Sequence, residues 1–321
     1  MRHPEEESMP ERKSIGETAP ANNWIGALTL VGGLLLSTIG VQAWDETKYP
    51  DFGRQWKRPP GIGNQFDQTK RPGQAQQVPF TPEYQAIFEA NIKDQAEGGQ
   101  GTDPTYQCIP DGMPRAMNVI FPMEVTVTPN TTFMLIEYLT MQRRIFTDGR
   151  DFPEEFPPSW MGYSIGKWID ENGDGKYDVL EVETRFLKHP RAFDASGAPL
   201  HRDAKTIVKE RIYLDKADRN VLHDEITVFD HALTRPRTVD KRYIRELRPV
   251  VWVEAICPEG NLYVDLEGEI YMRGADGKLM PAKKGQKPPD LEHFDGKGAG
   301  ENSAGTALIR SFLHPADDQQ Q

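Results

Sequence analysis

Apolar and polar positions alternate with a period of two through most of the middle of this chain. Segments 117–128, 132–139, 143–146, 162–169, 177–186, 206–214, 221–229, 238–245, 250–257 and 262–272 are rich in β-branched and aromatic residues and read as strands. Turn chemistry separates them: Pro129-Asn130, Asp148-Gly149, Asp194-Ala195-Ser196-Gly197, Asp215-Lys216-Ala217-Asp218 and Pro258-Glu259-Gly260. A helical period occurs once before them, where Tyr84, Ile87, Phe88 and Ile92 follow Thr81 and Pro82, a cap and a first-turn proline, and Gly98-Gly99 stops the run. The pattern predicts an all-β body, an antiparallel barrel or sandwich, with one short helix over 82–96.

One stretch has no polar face at all. Residues 24–43 carry no charge, and Trp24 and Trp44 bracket them. About twenty residues at 1.5 Å each span roughly 30 Å, the thickness of a hydrocarbon core, with tryptophan at both interfaces. The segment is read as a retained transmembrane helix, because the leader 1–23 is long and acidic rather than short and basic. The alternative is a signal cleaved after Ala43, where Val41-Gln42-Ala43 offers small residues. Either way the body lies outside the cytoplasm, most simply in a bacterial periplasm. The predicted layout is a polar cytoplasmic tail (1–23), an inner-membrane anchor (24–43), a Pro- and Gln-rich arm with the helix (44–105), the β domain (106–273) and an extended tail (274–321).

Charge narrows the partners. With a formal charge of −11 at pH 7 and short, scattered basic groups (Lys57-Arg58, Arg143-Arg144, Lys283-Lys284), the chain has no phosphate-tracking stripe, which excludes nucleic acid. The two cysteines, Cys108 and Cys257, would pair in an oxidising compartment or stay as separate buried thiols.

The sharpest local chemistry lies between two strands. Counting from Asp170, oxygen-bearing side chains occupy positions one, three, five, nine and twelve (Asp170, Asn172, Asp174, Asp178, Glu181), Gly175 is sixth, and Lys176 offers its carbonyl at seven. That is the EF-hand calcium-loop spacing: Ca²⁺ takes six to eight oxygens, and the glycine makes the sharp turn. Flanking segments 162–169 and 179–184 have strand rather than helix composition, so the site is expected on a strand-loop-strand, and a plain hairpin turn would need no ion. Elsewhere, His223, Glu225 and His231 share a strand face, but the spacing separates the imidazoles beyond one metal's reach. His189 and His201 lie between strands and could join such a site only through the fold. No Gly-x-Ser-x-Gly elbow, cysteine signature or phosphate loop opening a helix occurs, and no catalytic residue is assigned.

Several phrases together resemble a large family of uncharacterised exported bacterial proteins: Tyr49-Pro50-Asp51-Phe52, Thr147-Asp148-Gly149-Arg150, 162–168 (GYSIGKW), Leu180 to Thr184, Lys209-Glu210-Arg211, Thr234-Arg235-Pro236 and 277–281 (GKLMP). The resemblance runs over roughly 49–294 and implies a lipocalin-like all-β body with no assigned activity; the acidic leader and the long 168–184 hairpin depart from it. The expected function is that of a non-catalytic, membrane-anchored accessory subunit of a membrane complex, touching a membrane-protein partner. The alternative is a soluble carrier holding a small apolar ligand in the barrel.

Overall fold

A computed structural model describes residues 44–289 apart from 250, 255, 258–261, 267 and 275–277. Nine strands close into a barrel: β1 (Gln55–Lys57), β2 (Met123–Val127), β3 (Thr131–Ile136), β4 (Met141–Phe146), β5 (Tyr163–Ile169), β6 (Val179–Arg185), β7 (Ile207–Leu214), β8 (Val221–Phe229) and β9 (Arg237–Arg245). The body is therefore a barrel and not a sandwich. Neighbours in sequence are neighbours in the sheet, and β1 seals it by pairing Trp56 with Arg245 on one side and Met123 on the other. Closure removes both sheet edges. One pairing departs from the antiparallel expectation: β5 runs parallel to β4, with Ile145 opposite Ser164. The connection 147–162 is long enough for the crossover that a parallel pair requires.

Strand alternation sends one side chain in two to the lumen. Val208, Glu210, Ile212 and Leu214 of β7, Leu222, Asp224, Ile226 and Val228 of β8, and Val239, Lys241 and Tyr243 of β9 are all buried. The apolar ones among them meet Trp56, Met123, Met134, Ile136 and Ile145 in a single core. Burying a side chain of this size is worth about 1.5–3 kcal/mol, so this layer dominates stability.

The polar arm proves structural. Besides supplying β1, it drops Phe66 into the core, where the ring meets Phe193 at 4.9 Å. Gln76 is fully buried and holds the arm's turn, donating to the carbonyls of Asp67 and Arg71 and accepting the Asp67 amide at 2.8 Å. Helix α1 (Pro82–Ala96) follows; Thr81 Oγ1 accepts the Tyr84 amide at 3.4 Å, and Tyr84 and Phe88 pack inward. Its start is strapped to the loop after β8: the Thr81 amide donates to the Ala232 carbonyl and the Thr234 amide to the Pro79 carbonyl, each at 2.8 Å.

A small sheet of β10 (Tyr263–Leu266), β11 (Glu269–Arg273) and β12 (Leu279–Pro281) lies outside the barrel. It is attached by the Cys108–Cys257 disulfide, with Cα atoms 5.5 Å apart, and by the Tyr106–Tyr263 ring contact at 5.1 Å. The expected strand 262–272 is thus a two-strand hairpin. No described residue of 250–257 belongs to a strand. Among the described residues no helix is long and apolar enough to cross a membrane, and 24–43, the predicted anchor, lies outside them.

Candidate functional site

Three groups of chemically capable residues emerge from this frame. The first is the hairpin loop between β5 and β6. Both glycines adopt positive φ (Gly173 +75°, Gly175 +85°), as the sharp turn demands. Asp170 caps it from inside: Oδ1 accepts the Gly173 amide at 2.7 Å and Oδ2 the Gly175 amide at 2.8 Å. Those amides and that of Asp174 hold the Asp170 carboxyl below its ordinary pKa, the Gly175 amide most strongly. Asn172 accepts the Asp174 amide (2.9 Å), Asp174 the Lys176 amide (2.8 Å) and Asp178 the Glu171 amide (3.1 Å). Glu181, the twelfth position, lies on β6 in a ladder of successive cross-strand partners, Lys167, Glu181, Arg211, Glu225 and Asp240; its Oε1 is 3.5 Å from Arg211 Nε. The structure therefore gathers the first half of the spacing into one turn and leaves Glu181 on the sheet. Lys176 follows the turn, and the Tyr177 amide donates to the Lys48 carbonyl at 2.7 Å.

The second group fills the barrel. Arg143 on β4 reaches Glu210 on β7 through two hydrogen bonds, one of 2.8 Å, and Thr184 Oγ1 at 2.9 Å accepts a third. Ser164 and Thr184, opposite each other on β5 and β6, share a 2.8 Å hydroxyl contact beside them. Deeper, Asp224 and Lys241 are direct cross-strand partners, both fully buried. Lys241 Nζ donates to the Phe66 carbonyl (2.6 Å) and Asn118 Oδ1 (2.8 Å) and sits 4.1 Å from the centre of the Phe66 ring. Burial pushes the Lys241 ammonium down to about 7 and, with Glu210 nearby, raises the Asp224 carboxyl well above its ordinary value. Tyr243 donates its hydroxyl to the Met117 carbonyl at 2.5 Å. Phe66, Met117, Asn118 and Phe193 thus stopper the lumen, gripped by inward cations, and these ionisable groups face protein rather than solvent.

The third group is one the sequence left scattered. His201 and Asp203, before β7, meet His231, just after β8; one ligand-capable atom from each lies within 4.8 Å of the others, and among the described residues no other three His, Cys, Asp or Glu side chains do so. Asp203 faces both imidazoles: Oδ2 is 2.5 Å from His231 Nδ1 and Oδ1 3.0 Å from His201 Nδ1. Burial acts to raise its pKa, but the Lys205 amide, His231 and His201 outweigh it and bring the carboxyl down to about 2. Asp230 brackets the two loops, accepting the amides of His201 and Ala232, both at 2.9 Å, and the Thr206 hydroxyl at 2.5 Å. The Tyr84 ring of α1 lies 5.3 Å from that of His201. The strand-face trio of the sequence is not assembled. His223 instead stacks on Tyr213 (5.0 Å) and pairs with Asp240 at 3.0 Å and Asp215 at 3.4 Å.

Outside these groups, the segment after β9 displays apolar side chains. Leu247, Val251 and Val253 are 65%, 63% and 63% exposed, and Ile256 is exposed too. Their backbone is nevertheless tied to the barrel: Gln55 Nε2 donates to the Val251 carbonyl at 2.9 Å, and the Val253 amide donates to the buried carboxylate of Glu137. Val251 and Val253 flank an open groove of about 520 Å³ with Phe121 and Pro122. Compared with protein-family models and with curated protein sequences, the chain matches none.

Proposed function

We propose that this protein is a non-catalytic, membrane-anchored periplasmic barrel that docks onto another membrane component as an accessory subunit. The observation that carries the reading is the ribbon at Leu247, Val251 and Val253, whose aliphatic side chains point to solvent while Arg54 Nη1 donates to the Leu247 carbonyl, Gln55 Nε2 to the Val251 carbonyl and the Val253 amide to Glu137. A fixed apolar display of this kind exposes surface that a partner's burial would stabilise by about 25 cal/mol per Å². The lumen supports docking over carriage: Trp56, Met134, Arg143, Lys241 and Tyr243 occupy it, and an apolar ligand would have to displace a buried ion pair.

Trp44, the residue after the apolar run, stacks on Tyr49 at 4.4 Å, and Tyr49 packs on Trp168 and Tyr177 at the root of the hairpin. Trp44 is thereby packed, through Tyr49, at the root of the hairpin whose 170–181 loop is the place where the EF-hand spacing puts Ca²⁺ in this reading. Membrane fractionation with amino-terminal sequencing tests the anchor. The account expects a membrane-pelleted chain that retains residues before Trp44. A soluble chain beginning at Trp44 would remove the anchored subunit.

A further inference from the structure

We infer that His201, Asp203 and His231 form a binding site for Zn²⁺, held between the loop before β7 and the loop after β8. Two imidazoles and one carboxylate are a donor set for a borderline transition-metal dication and not for Ca²⁺, which takes oxygen. The donors already converge to within 4.8 Å. Zinc bonds of about 2.0–2.2 Å require the ion to replace the direct Asp203–His231 hydrogen bond, so the two side chains rotate apart to admit it, and His231 is 64% exposed on its outer side.

The site is braced behind the donors. The Asp230 carboxylate accepts the His201 amide and the Ala232 amide, so one side chain fixes the spacing of both histidine-bearing loops. The Thr206 hydroxyl, itself an acceptor for Arg191 at 2.7 Å, donates to the other oxygen of Asp230. Tyr84 backs the His201 ring, and the Thr81 amide holds the Ala232 carbonyl from the start of α1. These hydrogen bonds fix the loops that carry the donors rather than the imidazole rings themselves. Three protein donors with an exposed third leave at least one coordination position to water or to a donor from outside the chain. The reading is independent of the docking proposal, since it uses neither the apolar ribbon nor the anchor.

Calorimetry with Zn²⁺ on the full chain in mild detergent, with Co²⁺ absorption as a second probe, tests it. The wild type should bind one equivalent of Zn²⁺, show visible Co²⁺ bands and melt at higher temperature with metal. His231→Ala, at an exposed position, should abolish all three, with circular dichroism confirming its metal-free fold. Asp230→Ala, which removes the acceptor for the His201 and Ala232 amides, should weaken Zn²⁺ binding, with circular dichroism confirming its fold. Asp174→Ala, in the hairpin loop, should bind Zn²⁺ as the wild type does. No heat and no visible band in the wild type, or equal Zn²⁺ binding by the wild type and His231→Ala, would overturn the assignment.

Discussion

Arg143 and Glu210 face each other across the barrel lumen and join through two parallel hydrogen bonds, with both side chains wholly excluded from solvent. A buried pair costs desolvation on both sides and is repaid only by this geometry, so the loss of one partner strands the other. Glu210→Gln should lower unfolding free energy by about 3–5 kcal/mol. Replacing both residues with apolar ones of similar volume should cost less than that single change. Urea unfolding of the three proteins checks the order; a Glu210→Gln barrel as stable as wild type would contradict it.

Asp224 and Lys241 give the barrel a pH signature. The folded Asp224 carboxyl titrates well above 3.8, so between those values the folded state binds the extra proton, and stability falls as pH rises. Folded Lys241 titrates near 7 against 10.5 when solvated, so from about 7 to 10.5 the unfolded state binds the extra proton and stability rises with pH. Each contribution has a limiting slope of about 1.4 kcal/mol per pH unit. Melting temperatures across pH 4–10 should therefore fall and then rise relative to an Asp224→Asn, Lys241→Met double variant. Parallel curves for the two proteins would contradict the buried pair's role.

The disulfide should carry much of the outer sheet's attachment. Cys108 and Cys257 are separated by 149 positions, and closing a loop of that length constrains the unfolded chain by up to about 5 kcal/mol. Cys257→Ser, or reduction of the wild type, should lower the melting temperature and open the segment after β9 to protease before the barrel strands. Simultaneous cleavage of both regions would show that they do not open separately.

For the hairpin, the expected result is that Ca²⁺ gives a binding heat with wild type and none with Asp174→Ala; identical traces would retire calcium there. The Asp170 cap should persist without any ion, because its lowered pKa keeps it ionised. Its contribution is present above 3.8 and lost as pH falls below that. Protection of the Gly173 and Gly175 amides from hydrogen exchange at pH 6, compared between wild type and Asp170→Ala, reports it; equal protection in the two proteins would contradict the cap.

Local pattern carried the long strands. Val221–Phe229 appears in the structure as its alternation reads, and α1 begins where Thr81 and Pro82 place it. Four features were illegible for physical reasons. β1 is three residues set among prolines, and only its partners β2 and β9 make it a strand. Segment 250–257 has strand composition, but its described residues pair with no strand; Val251 and Val253 bond to side chains instead. His201, Asp203 and His231 sit on two loops that meet only once β7 and β8 pair, with Ile207 opposite Phe229. A hint existed in His201-x-Asp203 and in His231 at a strand's end, but one-dimensional spacing could not join them. The luminal charges read as ordinary strand polarity, since period-two alternation does not say which face is inside when Arg143, Glu210, Asp224 and Lys241 occupy inward positions.

Photocrosslinking from the apolar ribbon tests the central claim most directly. With a photoreactive residue at Val253, the chain isolated from its native membrane in gentle detergent should form one stoichiometric adduct with a single membrane protein. The same probe at Thr227, on the outer barrel face, should form none. Val251→Ser with Val253→Ser should abolish that companion without changing the melting temperature, because both side chains are exposed. A chain that comes off the membrane alone, with no adduct from Val253, would contradict the docking account.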